Sequence, residues 1–334
     1  MASQSQQLDT STLKAFQNAA AGHEGVLSDP SGELLIKPCT QAELDFYQQT
    51  LAEHPDFAEL MPMFMGTLSL GAPAQAVDSI AAQELLATSE AQKSQRSYGT
   101  KIATETAIVL ENLEHGFKQP NVLDIKLGAQ LCDPNNTAPE KVARLKKVAA
   151  ETTSGSLAFR IAGMKVWNGN SFDVYDKLYG RKFSAGNVKD GFATFFAGLT
   201  TGLKPDEAAE LLETIEAEIT KVRHALERSE SRMYSASLLI VYEGDSTALS
   251  TLTGGAAKAP QISEAAPTLS EVKQSELAEE EEEEEDEEPV AFKVKMIDFA
   301  HAAWTLGQGK DENVITGIKN VEKQMDELIS RVAG

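Results

Sequence analysis

Residues 120–128 read PNVLDIKLG, and how that stretch is read decides the fold. Leu123, Ile125 and Leu127 alternate with Asp124 and Lys126. In an extended strand a period of two sends the apolar side chains to one face and both charged groups to the other. A carboxylate and an ammonium sharing a face can orient a nucleotide hydroxyl and neutralise a phosphate. They can equally form an exposed ion pair on a half-buried strand, a common arrangement of small energetic value. The surrounding sequence has to separate these readings.

Upstream, residues 24–37, EGVLSDPSGELLIK, place two short apolar runs around a Pro/Gly turn, which predicts a hairpin. Helices are expected over 41–53 and 79–89, and strands over 63–70 and 106–110. Residues 1–20 are polar and read as a flexible tail, leaving 21–113 as a sheet-rich first lobe. Residues 114–334 form a larger second lobe. There Thr137, followed by Pro139 and Glu140, has the spacing of a capping box and predicts a helix start. On that helix Lys141, Arg144 and Lys147 recur every three residues and share one side, while Val142, Leu145 and Val148 mark an apolar stripe. Strands over 156–167, 235–242 and 292–297, with amphipathic helices over 205–229 and after Asp311, complete an α+β lobe.

At 334 residues and 42% hydrophobic composition, the chain can bury a sizeable core as one large domain or two ordinary ones. No apolar run approaches the roughly 20 residues that span a bilayer, and the first residues lack the basic and apolar regions of a secretory signal. Cys39 and Cys132 are too few for a disulfide scaffold and lack metal-ligand spacing. These features lead us to expect residence in the nucleus and cytoplasm, without integral membrane association.

The net charge is −21, of which residues 246–289 carry −11 through 13 acidic residues set against Lys258 and Lys273. The other −10 argues against broad nucleic-acid binding. Lacking apolar periodicity, 246–289 reads as a disordered acidic insertion. It either keeps a loop solvated or docks basic proteins.

Three further features bear on chemistry. Lys37 ends the hairpin, where an ammonium can meet phosphates as a point charge. The run 107–110 leads through Glu111 and Asn112 to Leu113, a connector whose main chain can face a base. Asp298 follows a strand directly; alone, such a residue serves as a turn or helix cap.

With Pro120 four residues before Asp124 and Gly128 two after Lys126, the opening stretch resembles the PxxxDxKxG signature of the inositol polyphosphate kinases. Residues 297–299, IDF, and 234–243, YSASLLIVYE, resemble that family's I-D-F and S-S-L-L motifs. Ser237, Leu238 and Leu239 match, whereas Ala236 stands where the family has Ser. Residues 307–317, GQGKDENVITG, are similar to its C-terminal pattern and lack the third glycine of a dinucleotide loop.

The resemblance implies a two-lobed α+β kinase fold, protein-kinase-like and ATP-grasp-like, with ATP in the interlobe cleft. By residue it gives Lys37 to the ATP phosphates and the main chain of Glu111 and Leu113 to adenine. Asp124 is given the ribose and the reacting region, Lys126 the transferred phosphate and accepting hydroxyl, and Asp298 Mg2+. Ser237 or water covers the hydroxyl missing at Ala236. An inositol phosphate is expected against segment 130–185, held by Lys126, Lys141, Arg144, Lys147, Lys165, Lys177 and His301. No His base is implied.

The implied activity, most similar to that of the fungal multikinase branch, is ATP- and Mg2+-dependent. It phosphorylates inositol 1,4,5-trisphosphate and tetrakisphosphate at the 6- and 3-hydroxyls towards the pentakisphosphate. Phosphatidylinositol 4,5-bisphosphate is a further candidate acceptor. Hexakisphosphate kinases share the motifs and remain the enzymatic alternative. A kinase-fold scaffold recruiting basic transcription factors through the acidic segment is the non-enzymatic one.

Overall fold

The computed structural model describes residues 12–16, 25–69, 104, 106–253 and 289–334. The first lobe is built on an antiparallel sheet of β1 (Lys14–Ala15), β2 (Leu27–Ser28), β3 (Leu34–Pro38), β4 (Phe64–Ser69) and β5 (Thr106–Glu111). Their order is β1-β2-β3-β5-β4. The hairpin between β2 and β3 turns on Asp29, whose carboxylate accepts from the Leu34 N–H at 2.8 Å. The supposed tail is in part an edge strand, because the Phe16 N–H donates to Val26 O at 3.0 Å and draws residues 14–15 onto the sheet. The helix expected over 79–89 lies outside the described residues.

Ten helices are described: α1 (Gln41–Glu53), α2 (Pro55–Ala58), α3 (Pro139–Ala150), α4 (Thr153–Leu157), α5 (Lys177–Gly180), α6 (Lys189–Phe195), α7 (Ala197–Gly202), α8 (Pro205–Arg228), α9 (Ser246–Thr253) and α10 (Glu312–Ala333). None of them is long and apolar enough to cross a membrane. The second lobe centres on β6 (Pro120–Leu127), β7 (Phe159–Trp167), β8 (Phe172–Tyr175), β10 (Ser237–Glu243) and β11 (Phe292–Ile297). This sheet is also antiparallel, ordered β11-β10-β6-β7-β8, so the PNVLDIKL strand is its middle member. A two-stranded ribbon joins β9 (Ser231–Met233) to β12 (Ala302–Trp304).

The alternation in β6 holds. Leu123, Ile125 and Leu127 are wholly buried in the core, which α8 and α10 cover with Leu211, Ile215, Ile219, Ile318, Val321 and Met325. Each fully buried side chain of this kind contributes about 1.5–3 kcal/mol. Asp124 is buried as well, because a central strand is covered on both faces.

Local expectations are corrected in three places. The capping box at Thr137 does not form; Ala138 is the cap and Pro139 starts α3 with its φ already helical. Residues 156–157, expected to open a strand, instead end the helix α4, which the Thr152 hydroxyl starts by accepting from the Ser154 N–H, and β7 starts only at Phe159. The insertion expected from 246 begins later. Asp245 accepts from the Ala248 N–H at 3.0 Å and starts α9, whose Leu249 is buried. The rest of the acidic segment, 254–288, lies outside the described residues.

The lobes are locked by aromatic rings. Phe299, just after β11, stacks on Phe46 of α1 at 4.8 Å and meets Tyr47 edge-on at 5.6 Å. Trp304 stacks on Phe46 at 5.3 Å and donates from Nε1 to Thr50 Oγ1 at 3.0 Å. Such pairs contribute about 0.5–1.5 kcal/mol each beyond their burial. They hold α1 against the segment that carries Asp298.

Candidate active site

The cleft between the lobes is lined from above by β3 and β5, from behind by the connector 111–114, and from below by β6, β10 and β11. It encloses about 810 Å3 including its open mouth. Its inner end is polar. Lys37, on β3, donates to Glu43 Oε1 at 2.8 Å and to Asp298 Oδ1 at 2.9 Å. Lys126, on β6, donates to Asp298 Oδ2 at 3.2 Å and to Ser235 O at 2.8 Å. One carboxylate therefore bridges two ammonium groups that are 89 residues apart in sequence. Burial alone would lower the Lys37 pKa, but the carboxylates of Asp298 and Glu43 raise it overall, so the ammonium is held charged.

Glu43 escaped the sequence reading. It is wholly buried and turns inward from the first turn of α1. The available signal was Thr40, whose hydroxyl accepts from the Glu43 N–H and so fixes where the helix begins relative to Lys37.

The end of the cleft next to the connector is apolar. Leu113 packs with Val122 and Val241, and Leu239 and Ile297 close that floor, forming a slot for a flat ring. Asn112 fixes the connector by donating to Gly32 O at 2.7 Å and accepting from the Glu114 N–H at 3.1 Å. Asp124 lines the floor beside Asp298. Thus Lys37, Glu111, Leu113, Asp124 and Asp298 share the cleft, and Lys126 reaches Asp298 at its inner edge.

Asp298 has φ of +67°, a left-handed conformation unusual for a non-glycine residue. That turn aims its carboxylate back between the two lysines. Ser237, the first residue of β10, sits opposite Lys126 of β6 and opposite Ile297 of β11. Its buried Oγ has no hydrogen-bond partner among the described residues. No group of three or more His, Cys, Asp and Glu side chains able to hold a metal occurs among the described residues. One carboxylate and one spare hydroxyl fit an octahedral cation that takes its other ligands from phosphate oxygens and water. The neighbouring Ser235 hydroxyl is already committed to Leu131 O at 2.9 Å.

Beyond Lys126 a second group of cations gathers. Arg160 of β7 is the register partner of Lys126 and donates to Ser154 Oγ at 2.8 Å. Burial and the adjacent Arg181 push its pKa down to about 10, with Asp124 acting in the opposite sense. The Lys177 pKa is lowered by burial, Arg181 and Arg144, against Asp176. That of His301 is lowered by burial, Lys141 and Lys126, against Glu43. The fold thus sets cations of α3, α5, β7 and the segment after β11 near enough to repel one another. Arg160 and Arg181 were missed because an Arg in a strand and one after YG carry no pattern of their own.

Two expected substrate residues stand apart. Lys165 is buried, ion-paired with Glu114 of the connector, and lies 4.7 Å from the Phe172 ring centroid. It pairs in register with Val122, toward the opposite end of β6 from Lys126, so it secures the connector rather than facing the cation cluster. Lys147 is exposed and lies 3.8 Å from Glu151 one turn along α3, a solvated pair.

Comparison with known proteins identifies the family. The family model described as inositol polyphosphate kinase matches residues 107–326. The inositol polyphosphate multikinase of Saccharomyces cerevisiae is 30% identical over 94% of this chain and 98% of its own length. That of Schizosaccharomyces pombe is 29% identical over 92% and 95%. Inositol hexakisphosphate kinase 3 of Mus musculus is 30% identical, but over 64% of this chain and 48% of its own. The crystal structure of the S. cerevisiae inositol phosphate multikinase Ipk2 in complex with ADP and Mn2+ superposes with a TM-score of 0.63. It is 28% identical and covers 89% of this chain and 100% of that one. The chain belongs to the inositol polyphosphate kinase family and is an enzyme of its multikinase kind.

Proposed function

We propose that the chain transfers the γ-phosphoryl group of ATP to inositol 1,4,5-trisphosphate and tetrakisphosphate at the 6- and 3-hydroxyls, towards the pentakisphosphate. The observation that carries this reading is the position of Lys126. It touches Asp298 in the cleft on one side and abuts the cluster of Arg160, Arg181, Lys177, Arg144, Lys141 and His301 on the other. The ADP and Mn2+ bound by the yeast relative support a nucleotide and a divalent cation at the corresponding cleft.

Phosphoryl transfer asks little covalent work of a protein; alignment and charge neutralisation dominate its barrier. The apolar slot takes adenine against the main chain of Glu111 and Leu113, and Asp124 takes the ribose. Lys37 holds the phosphates. Asp298 is the carboxylate for Mg2+, with Ser237 offering its hydroxyl. Bound there, the metal would neutralise phosphate charge. Lys126 stays with the transferred group while the acceptor is fixed by charge-assisted bonds from the cation cluster. No imidazole base is required, because proton loss from the hydroxyl can come late in a loose transition state.

The trisphosphate reading is preferred over hexakisphosphate because the two fungal multikinases align along nearly their whole length, whereas the hexakisphosphate kinase aligns along half of its own. Purified protein should form pentakisphosphate from the trisphosphate with ATP and Mg2+, and Lys126→Ala should lose the activity. Turnover of hexakisphosphate alone would replace this reading with the pyrophosphate-forming one. Phosphatidylinositol 4,5-bisphosphate belongs in the same assay as an acceptor with the same phosphate chemistry.

The acidic run 279–288 supports a separate role in docking basic transcription factors, with residence in the nucleus and cytoplasm. Deleting 254–288 should then abolish partner capture and leave turnover intact.

A further inference from the structure

The segment similar to the family's C-terminal pattern, residues 307–317, contributes no group to the cleft described above. Its beginning is nonetheless held from several sides. The Glu230 carboxylate accepts from the Gly307 and Gly309 N–H groups. The Arg232 guanidinium donates to Gln308 O at 2.6 Å and Gly309 O at 2.9 Å. Asp311 caps α10 through the Val314 N–H at 3.2 Å and accepts from the Met233 N–H at 2.7 Å. This fixes the first turn of α10 against β9, and with it the direction of Asn313.

Asn313 meets the turn that leaves β6. Its Oδ1 accepts from the Ala129 N–H at 2.8 Å and the Gln130 N–H at 2.9 Å, and its Nδ2 donates to Gln130 O at 3.1 Å. Gly128 begins that turn with φ of +89°, and a Cβ there would run into Asn313 Nδ2. The glycine of the PxxxDxKxG signature is thus required twice, by backbone conformation and by the approach of Asn313. After the turn, Leu131 O accepts from Ser235 Oγ at 2.9 Å, and Ser235 O accepts from Lys126 Nζ at 2.8 Å. The chain then proceeds to α3, which carries Lys141 and Arg144.

We propose that Asn313 is a positioning residue for the acceptor. It clamps the turn at 128–130, and so sets the spacing between Lys126 and the cations of α3 at which one polyanion can engage both. This rests on the acceptor reading given under the proposed function.

The test uses the full chain with Asn313→Ala and Asn313→Asp, varying ATP and inositol 1,4,5-trisphosphate independently. Asn313→Ala should raise the acceptor KM about tenfold while the ATP KM stays within about twofold, the pattern of misplaced binding groups rather than global damage. Asn313→Asp keeps the two bonds accepted from the Ala129 and Gln130 N–H groups but loses the one donated to Gln130 O, so it should restore part of the loss. Equal changes in both KM values, no change in either, or an Asp variant as impaired as Ala would overturn the proposal.

A second readout does not depend on the acceptor. Gly128→Ala and Asn313→Ala should couple in melting temperature, the double variant losing less than the sum, because removing Asn313 removes the clash. Additive losses would overturn the clamp. If the wild type turns over no inositol phosphate, the proposed function fails, while this cycle still decides whether the clamp exists.

Discussion

The two ends of the reaction site treat charge in opposite ways. At the nucleotide end Lys37 is answered by Glu43 and Asp298, and its pKa is raised overall. At the proposed acceptor end Arg160 and Lys177 have theirs lowered, first by burial and then by neighbouring cations. An ammonium already matched by carboxylates is preorganised and loses little when a nucleotide arrives. A cluster of mutually repelling cations is destabilised until a polyanion enters, so binding there gains strength from relieved repulsion. The contrast also shows how a chain of net charge −21 can hold a polyphosphate: the local field, not the total, faces the ligand.

The severest break in this contrast is Asp298→Ala. It removes the carboxylate shared by Lys37 and Lys126 and the proposed metal ligand together, and turnover should fall by about a thousandfold or more. Steady-state assay checks this; retained turnover would remove Asp298 from the mechanism. Lys165→Met should instead act on folding. It leaves the largely buried Glu114 without its cation, at a cost of up to about 3 kcal/mol given its remaining exposure, readable by denaturant unfolding. Burial already raises the Glu114 pKa against the pull of Lys165. An acid with a raised folded pKa loses stability as pH rises, so the Lys165→Met deficit should grow above about pH 4.5. An acceptor-specific KM effect with unchanged stability would return Lys165 to the substrate site.

That residue illustrates where sequence reading stopped. Alternation in VLDIKL predicted a strand, its apolar face and the shared side of Asp124 and Lys126, because a period of two is a local property of the backbone; its place in the middle of the sheet comes only from the topology. The long helices were equally readable from the spacing of residues such as Leu211, Ile215 and Ile318. Lys165 lies on a correctly located strand, but which end of that strand faces the ligand depends on register with Val122, more than 40 residues away. Glu43 and Arg160 are functional only through the partners that folding brings to them. Thr137 shows the reverse error, a local capping pattern overridden by Pro139 one position into the helix.

Two smaller effects sharpen the comparison. An inositol polyphosphate at about one hundred times its Kd should stabilise the chain by about 2.7 kcal/mol, detectable as a rise in Tm. The rise should shrink in Arg181→Ala and persist in Lys37→Met. His301 should give the smallest effect. Although His301 is exposed, partial desolvation together with Lys141 and Lys126 lowers its pKa from the ordinary value of 6.5, so the unfolded chain takes up a proton that the folded chain does not. Stability should therefore decline as pH falls below about 6.5, and His301→Gln should flatten part of that slope in pH-dependent unfolding. An unchanged slope would remove His301 from the influence of Lys141 and Lys126.

The most direct test of the division between the two ends is a set of initial rates for wild type, Lys37→Met and Arg181→Ala. ATP and inositol 1,4,5-trisphosphate are varied independently. Lys37→Met should lower kcat/KM for ATP and leave the acceptor KM nearly unchanged, whereas Arg181→Ala should raise the acceptor KM alone. If both substitutions move the same parameter, or Arg181→Ala leaves the acceptor KM where it was, the cation cluster is not the acceptor site.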